Sequence, residues 1–487
     1  IVIGNKESPG VVYRNEMPLH VTSVTPKENE ILTALPTNIT IHFSHTMKPC
    51  HATNFIVHGS FTGIRTGRYQ RVDEKTSQFI PDRPFLPGET IRVTLTQEVM
   101  SSSQEPLPQP FQWSFTTATT QGNASYHTSR RFFGPDYNRA RCLALGDLNG
   151  DGNIDIVTGS DENGSQVYFN DGHGIFDTAQ SISPTREDTL SLAVCDIDGD
   201  GDMDVLSGNS DRYPNKIYLN RGNGEFPQEI KFPSSHGNSN ALTEGDINGN
   251  GRIDLIFANN IASAGDHRIY LNQGNGAFRE LSRLSSGLIT IRAFGLTDLD
   301  RDRDLDLISL GWGSSNYIVL NDGTGNFLQE RQWLCSASGI ALSYGDMDND
   351  RDIDLICLRQ YEASEMRTAD LLFLRNQGKN AFESKLLCEL LERQNDICSG
   401  DIDGDGDIDI VLTSSDKETK RTLFRNSGRG EFNPETEREP IHSESSRIAL
   451  ADLNGDGKLD LVTARYGGKN TIDFQDIPSP QTAEYRK

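Results

Sequence analysis

The sequence predicts an all-β protein in which a seven-bladed β-propeller follows a β-sandwich. Three observations lead there. A nine-residue pattern, D-x-[DN]-x-[DN]-x-x-[ILM]-D, recurs seven times with first aspartates 48 to 55 residues apart, a period that suits a blade of four short strands. Each copy runs into an apolar stretch of about five residues with both faces apolar, which reads as a buried strand. Ahead of the repeats, residues 18–117 alternate short strand-like runs with Pro, Gly and Asn, as in NITIHFSHTM, TIRVTLTQ and FQWSFTT, the pattern of a β-sandwich.

Composition bounds the rest. The 487 residues, 35% of them hydrophobic, suffice for several domains with real cores. Seventy acids against 46 bases leave a net charge of −24, which argues against nucleic acid or an anionic membrane surface as partner. No run approaches the ~18 apolar residues of a membrane span, so an integral membrane protein is not expected. The chain begins at Ile1 with neither a Met nor a basic-then-apolar leader, so any export signal is expected to have been removed or left out. Seven cysteines are too sparse for a disulfide scaffold and contain no C-x-x-C. Cys142, Cys195, Cys335, Cys357, Cys388 and Cys398 sit in or beside apolar runs and are read as free core thiols.

Taken in chain order, residues 1–17 are an N-terminal segment, 18–117 the sandwich, and 118–125 a Thr/Ser/Gly/Asn-rich linker. The ring spans 126–476 and the tail 477–487. Within each repeat the acidic loop leads into a buried strand (IDIVTG, MDVLSG, IDLIFA and their equivalents). A variable insert follows, then a further strand (VYFN, IYLN, LFRN) that ends in an N-x-G-x-G-x-F turn. The glycines supply the positive φ of a tight hairpin. The seventh copy lacks its outermost strand. The otherwise unused segment YHTSRRFF, 126–133, is expected to complete that blade and remove the free sheet edge of an open array.

The loops hold most of the charge: 28 acids and only five bases, Arg252, Arg301, Arg303, Arg351 and Lys458. Clustering three to five acids in nine residues is repulsive unless a cation is present. The candidate ligands at positions 1, 3, 5 and 9 are Asp147, Asn149, Asp151 and Asp155 in the first loop, and Asp196, Asp198, Asp200 and Asp204 in the second. In the third they are Asp246, Asn248, Asn250 and Asp254, in the fourth Asp298, Asp300, Asp302 and Asp306, and in the fifth Asp346, Asp348, Asp350 and Asp354. Asp401, Asp403, Asp405 and Asp409 follow in the sixth, and Asp452, Asn454, Asp456 and Asp460 in the seventh. With a main-chain carbonyl at position 7 these are hard oxygen donors converging on one point. Such a set suits calcium better than magnesium, which keeps its waters, or zinc, which prefers N and S. Up to seven ions are expected. Position 6 is Gly in five loops, but Arg303 and Arg351 stand there in the fourth and fifth, and the third loop has two acids. Those three loops are expected to be weaker or distorted.

These repeats resemble the FG-GAP/VCBS-repeat β-propellers, the family of the integrin α-subunit head and of fungal and bacterial propeller lectins. The resemblance implies calcium in the D-x-D-x-D-G-x-x-D loops and a role in adhesion or glycan binding. Residues Val24–Pro26, Phe43–Met47, Phe79–Leu95 and Trp113–Thr116 likewise resemble the bacterial Ig-like domains of surface proteins, which implies an Ig-like sandwich used as a spacer and a secreted or cell-surface location.

No G-x-S-x-G, H-E-x-x-H, P-loop or G-x-G-x-x-G is present, so a non-enzymatic module is expected. Metal, turn and core account for the repeated residues. That leaves the inserts 159–166, 208–216, 258–268, 310–316, 358–371, 413–421 and 463–470 to encode specificity. Trp312 and Tyr466 stand at the same offset in their inserts, with Tyr213 and Tyr361 in equivalent ones. Exposed aromatics there are candidates for stacking a carbohydrate, or for contact with an extracellular protein ligand. Two alternatives stay open: self-assembly into a surface layer or filament, and a polysaccharide lyase or hydrolase using insert acids such as Asp161 or Glu362.

Overall fold

The structure is a computed structural model, all-β among the described residues. It describes residues 2–475 except 6–7, 13–16, 36–37, 123–124, 127–128, 138, 162–163, 184–185, 233–237, 261–266, 285–289, 314–315, 336, 362–367, 379–380, 391–393, 415–420 and 437–443. Side chains 2–12 and a few at strand ends are also outside the description. The expected tail, 477–487, lies outside the described residues, as does Glu362.

A hairpin, Val2–Asn5 with Ser8–Val12, opens the chain. The sandwich follows as two four-stranded sheets, one ordered Phe111–Thr116, Thr90–Leu95, Phe55–Gly59, Gly63–Ile64, the other Val21–Thr25, Ile39–Phe43, Thr76–Pro81, Gly67–Arg71. Alternation along Ile39–Phe43 turns Ile39, Ile41 and Phe43 inward. There they meet Val93 and Leu95 of the facing sheet, with Trp113 and Phe115.

Seven further four-stranded antiparallel sheets form the blades. Blade one is Ala140–Gly146, Asp155–Ser160, Gly164–Phe169 and Thr178–Ser181. The first strands of blades two to six are Thr189–Cys195, Asn238–Gly245, Ile291–Thr297, Ser338–Gly345 and Gln394–Gly400. Blade seven is Glu444–Ala451, Asp460–Tyr466 and Asn470–Phe474, with Ser129–Phe133 paired outside Asn470–Phe474. First strands of successive blades lie against one another, and that of blade seven returns to that of blade one. Within the expected closing segment 126–133 the described strand is Ser129–Phe133, residues 127–128 lie outside the described residues, and Tyr126 is buried with its hydroxyl donating to the Leu459 carbonyl at 2.9 Å.

The cores lie between blades. Second strands such as Asp155–Ser160 are buried along their whole length because each face meets a neighbouring sheet, whereas the outermost Thr178–Ser181 is mostly exposed. At the seam Phe133, Tyr168 and Phe176 pack with Leu453, Ile472 and Phe474. Burying each such side chain contributes about 1.5–3 kcal/mol. Asp473, buried beneath the closing strand, pairs with Arg130 from that strand and with Arg421 of blade six at 2.9 Å. All seven cysteines are free thiols.

Candidate metal centres on the loop face

Each acidic loop is the hairpin between the first and second strands of its blade. Its last aspartate, for example Asp155 or Asp204, therefore opens the second strand. The apolar residues at position 2 (Leu148, Ile197, Ile247, Leu299, Met347, Ile402 and Leu453) are all buried and pin the loop to the inter-blade core.

Position 1 organises the turn. Its carboxylate accepts the N–H of position 6 in six loops, from Gly152 to Asp147 at 2.9 Å, Gly201 to Asp196 at 2.9 Å and Gly251 to Asp246 at 2.7 Å, with Arg303, Arg351 and Gly457 doing the same at 2.8–2.9 Å. That bond needs a left-handed residue at position 6. Glycine supplies it at no steric cost in five loops, while Arg303 and Arg351 adopt φ of 76° and 72°. The expected distortion of the fourth and fifth loops is absent: they keep the same turn and carry the backbone strain.

Position 9 works as a strut. Asp204 accepts the N–H of Ile197 at 3.0 Å on one oxygen and of Asn220 at 2.8 Å on the other, and the equivalent pair recurs in five further blades. Each oxygen retains a lone pair for a cation. Burial pushes these carboxyls up, Asp155 to about 7 and Asp204, Asp254, Asp306, Asp354, Asp409 and Asp460 to about 8, with neighbouring loop carboxylates adding to the rise. Asp196, Asp246 and Asp346 rise to about 6 and Asp298 to about 7, again chiefly by burial. Such acids ionise readily only when a positive charge joins them.

Carboxylate oxygens converge within 4.8 Å of one another in four loops: Asp196, Asp198 and Asp204; Asp298, Asp300 and Asp302; Asp346, Asp348 and Asp354; Asp401, Asp403 and Asp405. The first, third and seventh loops have Asn among positions 3 and 5, and the Asn149 and Asn248 amides donate to Asp151 Oδ2 and Asp254 Oδ2, both at 3.1 Å. Buried oxygens of Asp147, Asp198, Asp403 and Asp409 accept no hydrogen bond from the described residues. Orphaned hard oxygens inside a cage of acids fit a divalent cation such as calcium. Two loops carry an internal competitor, since Arg375 contacts Asp348 and Arg425 contacts Asp403 at 2.8 Å.

The asparagine of the N-x-G-x-G-x-F turn does more than the sequence reading assigned to it. Asn220 Nδ2 donates to Met203 in its own loop at 2.8 Å and to Leu148 in the preceding blade's loop at 2.6 Å. Asn170, Asn272 and Asn376 bridge their blades in the same way, Asn321 and Asn426 reach the preceding loop, and Gln475 bridges in blade seven. Each loop is thereby tied to the next. Its repetition at the end of six strands was the available signal.

The loop face is covered. Residues between Asn29 and Gly122 contact every one of the seven loops. Phe61 accepts the Asp147 N–H at 2.8 Å, and the Ile64 N–H reaches Asp196 Oδ2 at 3.2 Å. Thr94 donates to Asp246 Oδ2 at 3.1 Å, and the Arg303 guanidinium lies over the Phe111 ring at 4.4 Å. Asn29 donates to the Arg351 carbonyl at 3.0 Å and Thr119 to Asp401 Oδ2 at 2.9 Å, while the Thr120 N–H reaches the Gly457 carbonyl at 2.7 Å. The sandwich and residues 119–122 thus form a cap seated on the ring. Main-chain groups, three position-1 carboxylates and the Arg303 side chain of the loops provide its partners.

The opposite end of the ring carries the inserts, because second-to-third-strand connections emerge there in an antiparallel blade. Trp312 is 42% exposed with the Arg292 guanidinium 4.8 Å from its ring centre. Tyr466 is 37% exposed, faces Arg141 at 5.9 Å and donates to Asp161. Asp161 in turn accepts from Arg141 at 2.7 Å. Tyr361 donates to Asp370 at 3.0 Å, and Tyr213 is half-buried. The four belong to blades two, four, five and seven, each with partners of its own. Residues 261–266, 362–367 and 415–420 of the inserts lie outside the described residues.

Repeated four-stranded blades, each with an acidic hairpin, define a repeat β-propeller. Residues 147–207, 196–257, 246–309, 298–357 and 401–463 match the FG-GAP-like repeat, together more than half of the sequence, and all seven loops fall inside these matches. The chain belongs to that family. Residues 15–117 match the bacterial Ig-like domain. No curated protein matches the chain by sequence. Among solved structures, BBS1N in complex with ARL6DN, soaked with mercury, is similar at 10% identity with a TM-score of 0.50, covering 74% of this chain and 98% of that one. The lead-soaked crystal of the same complex gives 10% identity, a TM-score of 0.47, and 72% and 97% coverage. Likeness at this identity concerns the fold alone. Among the described residues no helix is long and apolar enough to cross a membrane.

Proposed function

We propose that this protein is a secreted or cell-surface recognition module, non-enzymatic, whose ring is held by calcium and whose insert face takes a carbohydrate or extracellular protein ligand. One observation carries the reading. The cap contacts all seven metal loops, so the end of the ring bearing the variable inserts is the one left open to a partner. Half-exposed Trp312 and Tyr466, each beside an arginine, offer an apolar ring next to charged donors, the mixture that sugar and peptide recognition uses. Asp, Asn and backbone oxygens of the loops would hold the calcium, which would neutralise their charge and fix the hairpins.

A glycan and extracellular-protein array run in calcium and in EDTA tests this. Trp312→Ala and Tyr466→Ala are expected to weaken ligand capture on the order of tenfold with calcium-dependent melting unchanged. Capture indifferent to both substitutions would place recognition elsewhere, and product release from a polysaccharide would replace the binding reading with an enzymatic one.

A further inference from the structure

Three position-1 aspartates receive donors from outside the ring: Asp196 from the Ile64 N–H, Asp246 from the Thr94 hydroxyl and Asp401 from the Thr119 hydroxyl. In the first two, the same oxygen also accepts the position-6 N–H that shapes the loop. The cap therefore supports the very groups on which the metal cage is built. We infer that the cap is a working part of the metal sites, so that its docking and calcium binding form one linked equilibrium and withdrawal of calcium loosens the cap from the ring.

This rests on the calcium reading and goes beyond it. Outer partners that orient a metal's carboxylate ligands raise affinity by holding them in the binding geometry. Linkage is reciprocal: whatever factor docking contributes to calcium affinity, calcium contributes to docking. The contacts are suited to such coupling because most are made to the loops, although Arg92 also reaches the Glu244 carbonyl in the first strand of blade three at 3.4 Å. A metal-free loop has clustered carboxylates that relax by turning apart, and each such movement withdraws an acceptor from the cap. Residues 118–122 are the sensitive segment. The Thr120 and Gly122 N–H groups are held by the loop carbonyls of Gly457, at 2.7 Å, and Asp403, at 2.9 Å.

The test uses the full chain. Calcium titration by calorimetry is run on the native protein and on Thr94→Val and Thr119→Val, and backbone hydrogen exchange is followed in calcium and in EDTA. Each substitution is expected to weaken a subset of the calcium sites by three- to tenfold, and EDTA to speed exchange at Ile64, Thr120 and Gly122 at least tenfold. The inner sandwich strand Ile39–Phe43 and the first strands of the blades are expected to stay protected. Calcium binding with unchanged exchange at those three amides overturns the inference alone. Equal loss of protection in the blades' first strands also overturns it, since that is general unfolding. Absence of any calcium binding in the native chain overturns the metal reading and this inference together.

Discussion

Asp204 and Asp198 belong to one loop, yet they do different work. Asp204 braces two backbone N–H groups in a fully buried position, whereas one oxygen of Asp198 accepts nothing. Hydrogen bonds to a charged group contribute roughly 1.5–3 kcal/mol each. Asp204→Ala should therefore cost about 2–4 kcal/mol in EDTA and more in calcium, where a ligand is lost as well. Asp198→Asn should remove only the calcium-dependent part of the stability, and melting curves of both variants in both buffers check this. At this scale the sequence was readable for the acids, which repeat, and for the turn glycines. It was not readable for Asn220 and its counterparts, because a turn asparagine has the same letter whether it closes its own hairpin or reaches the preceding blade. The sequence shows Arg351 where glycine is favoured, and the structure holds it at a φ of 72° with its N–H donating to Asp346 at 2.8 Å beside buried Met347.

The loops as elements respond to pH in a defined direction. Their position-1 and position-9 carboxyls sit above the ordinary value of about 3.9, between about 6 and 8 where a value is fixed. A carboxyl raised on folding contributes stability that is complete below its unfolded value and is lost as pH rises through its folded value. In EDTA the protein should accordingly lose stability from about pH 4 to about pH 8. A cation needs the ionised form, so the melting-temperature gap between calcium and EDTA should widen from pH 5 to pH 8, and a gap that narrows would contradict the cage. The closing strand is the other element with a sharp prediction. Asp473 is buried and shared by Arg130 and Arg421, and removing one side of such a pair costs about 3–5 kcal/mol. Asp473→Ala should lower stability by that amount in urea unfolding. The sequence located this strand by counting 20 residues back from Asp147, the distance from Phe176 to Asp196, since ring closure demands a strand and the repeat shows where it is missing.

For the whole molecule, the number of blades was legible from periodicity, whereas the seating of the cap was not. Ile64, Thr94 and Thr119 are ordinary strand and loop residues with no pattern among them, and a contact between residue 119 and residue 401 leaves no trace in local sequence. Within the linker segment 118–125, the Thr119 hydroxyl and the Thr120 and Gly122 N–H groups are held by the loops, contacts that composition does not report. One consequence follows from seating a single sandwich on seven equivalent hairpins. The seat has approximate sevenfold rotation and the object on it has none, so each hairpin meets a different neighbour: a main-chain carbonyl in one, a threonine in another, a phenylalanine ring in a third. The blades are therefore not interchangeable. Replacing every hairpin by one averaged sequence would make the ring more regular and erase the marks that orient the sandwich, leaving it seven near-degenerate ways to sit. The hairpins' differences, Arg303 under Phe111 in one and Asp246 beside Thr94 in another, distinguish one rotation of the sandwich from the other six.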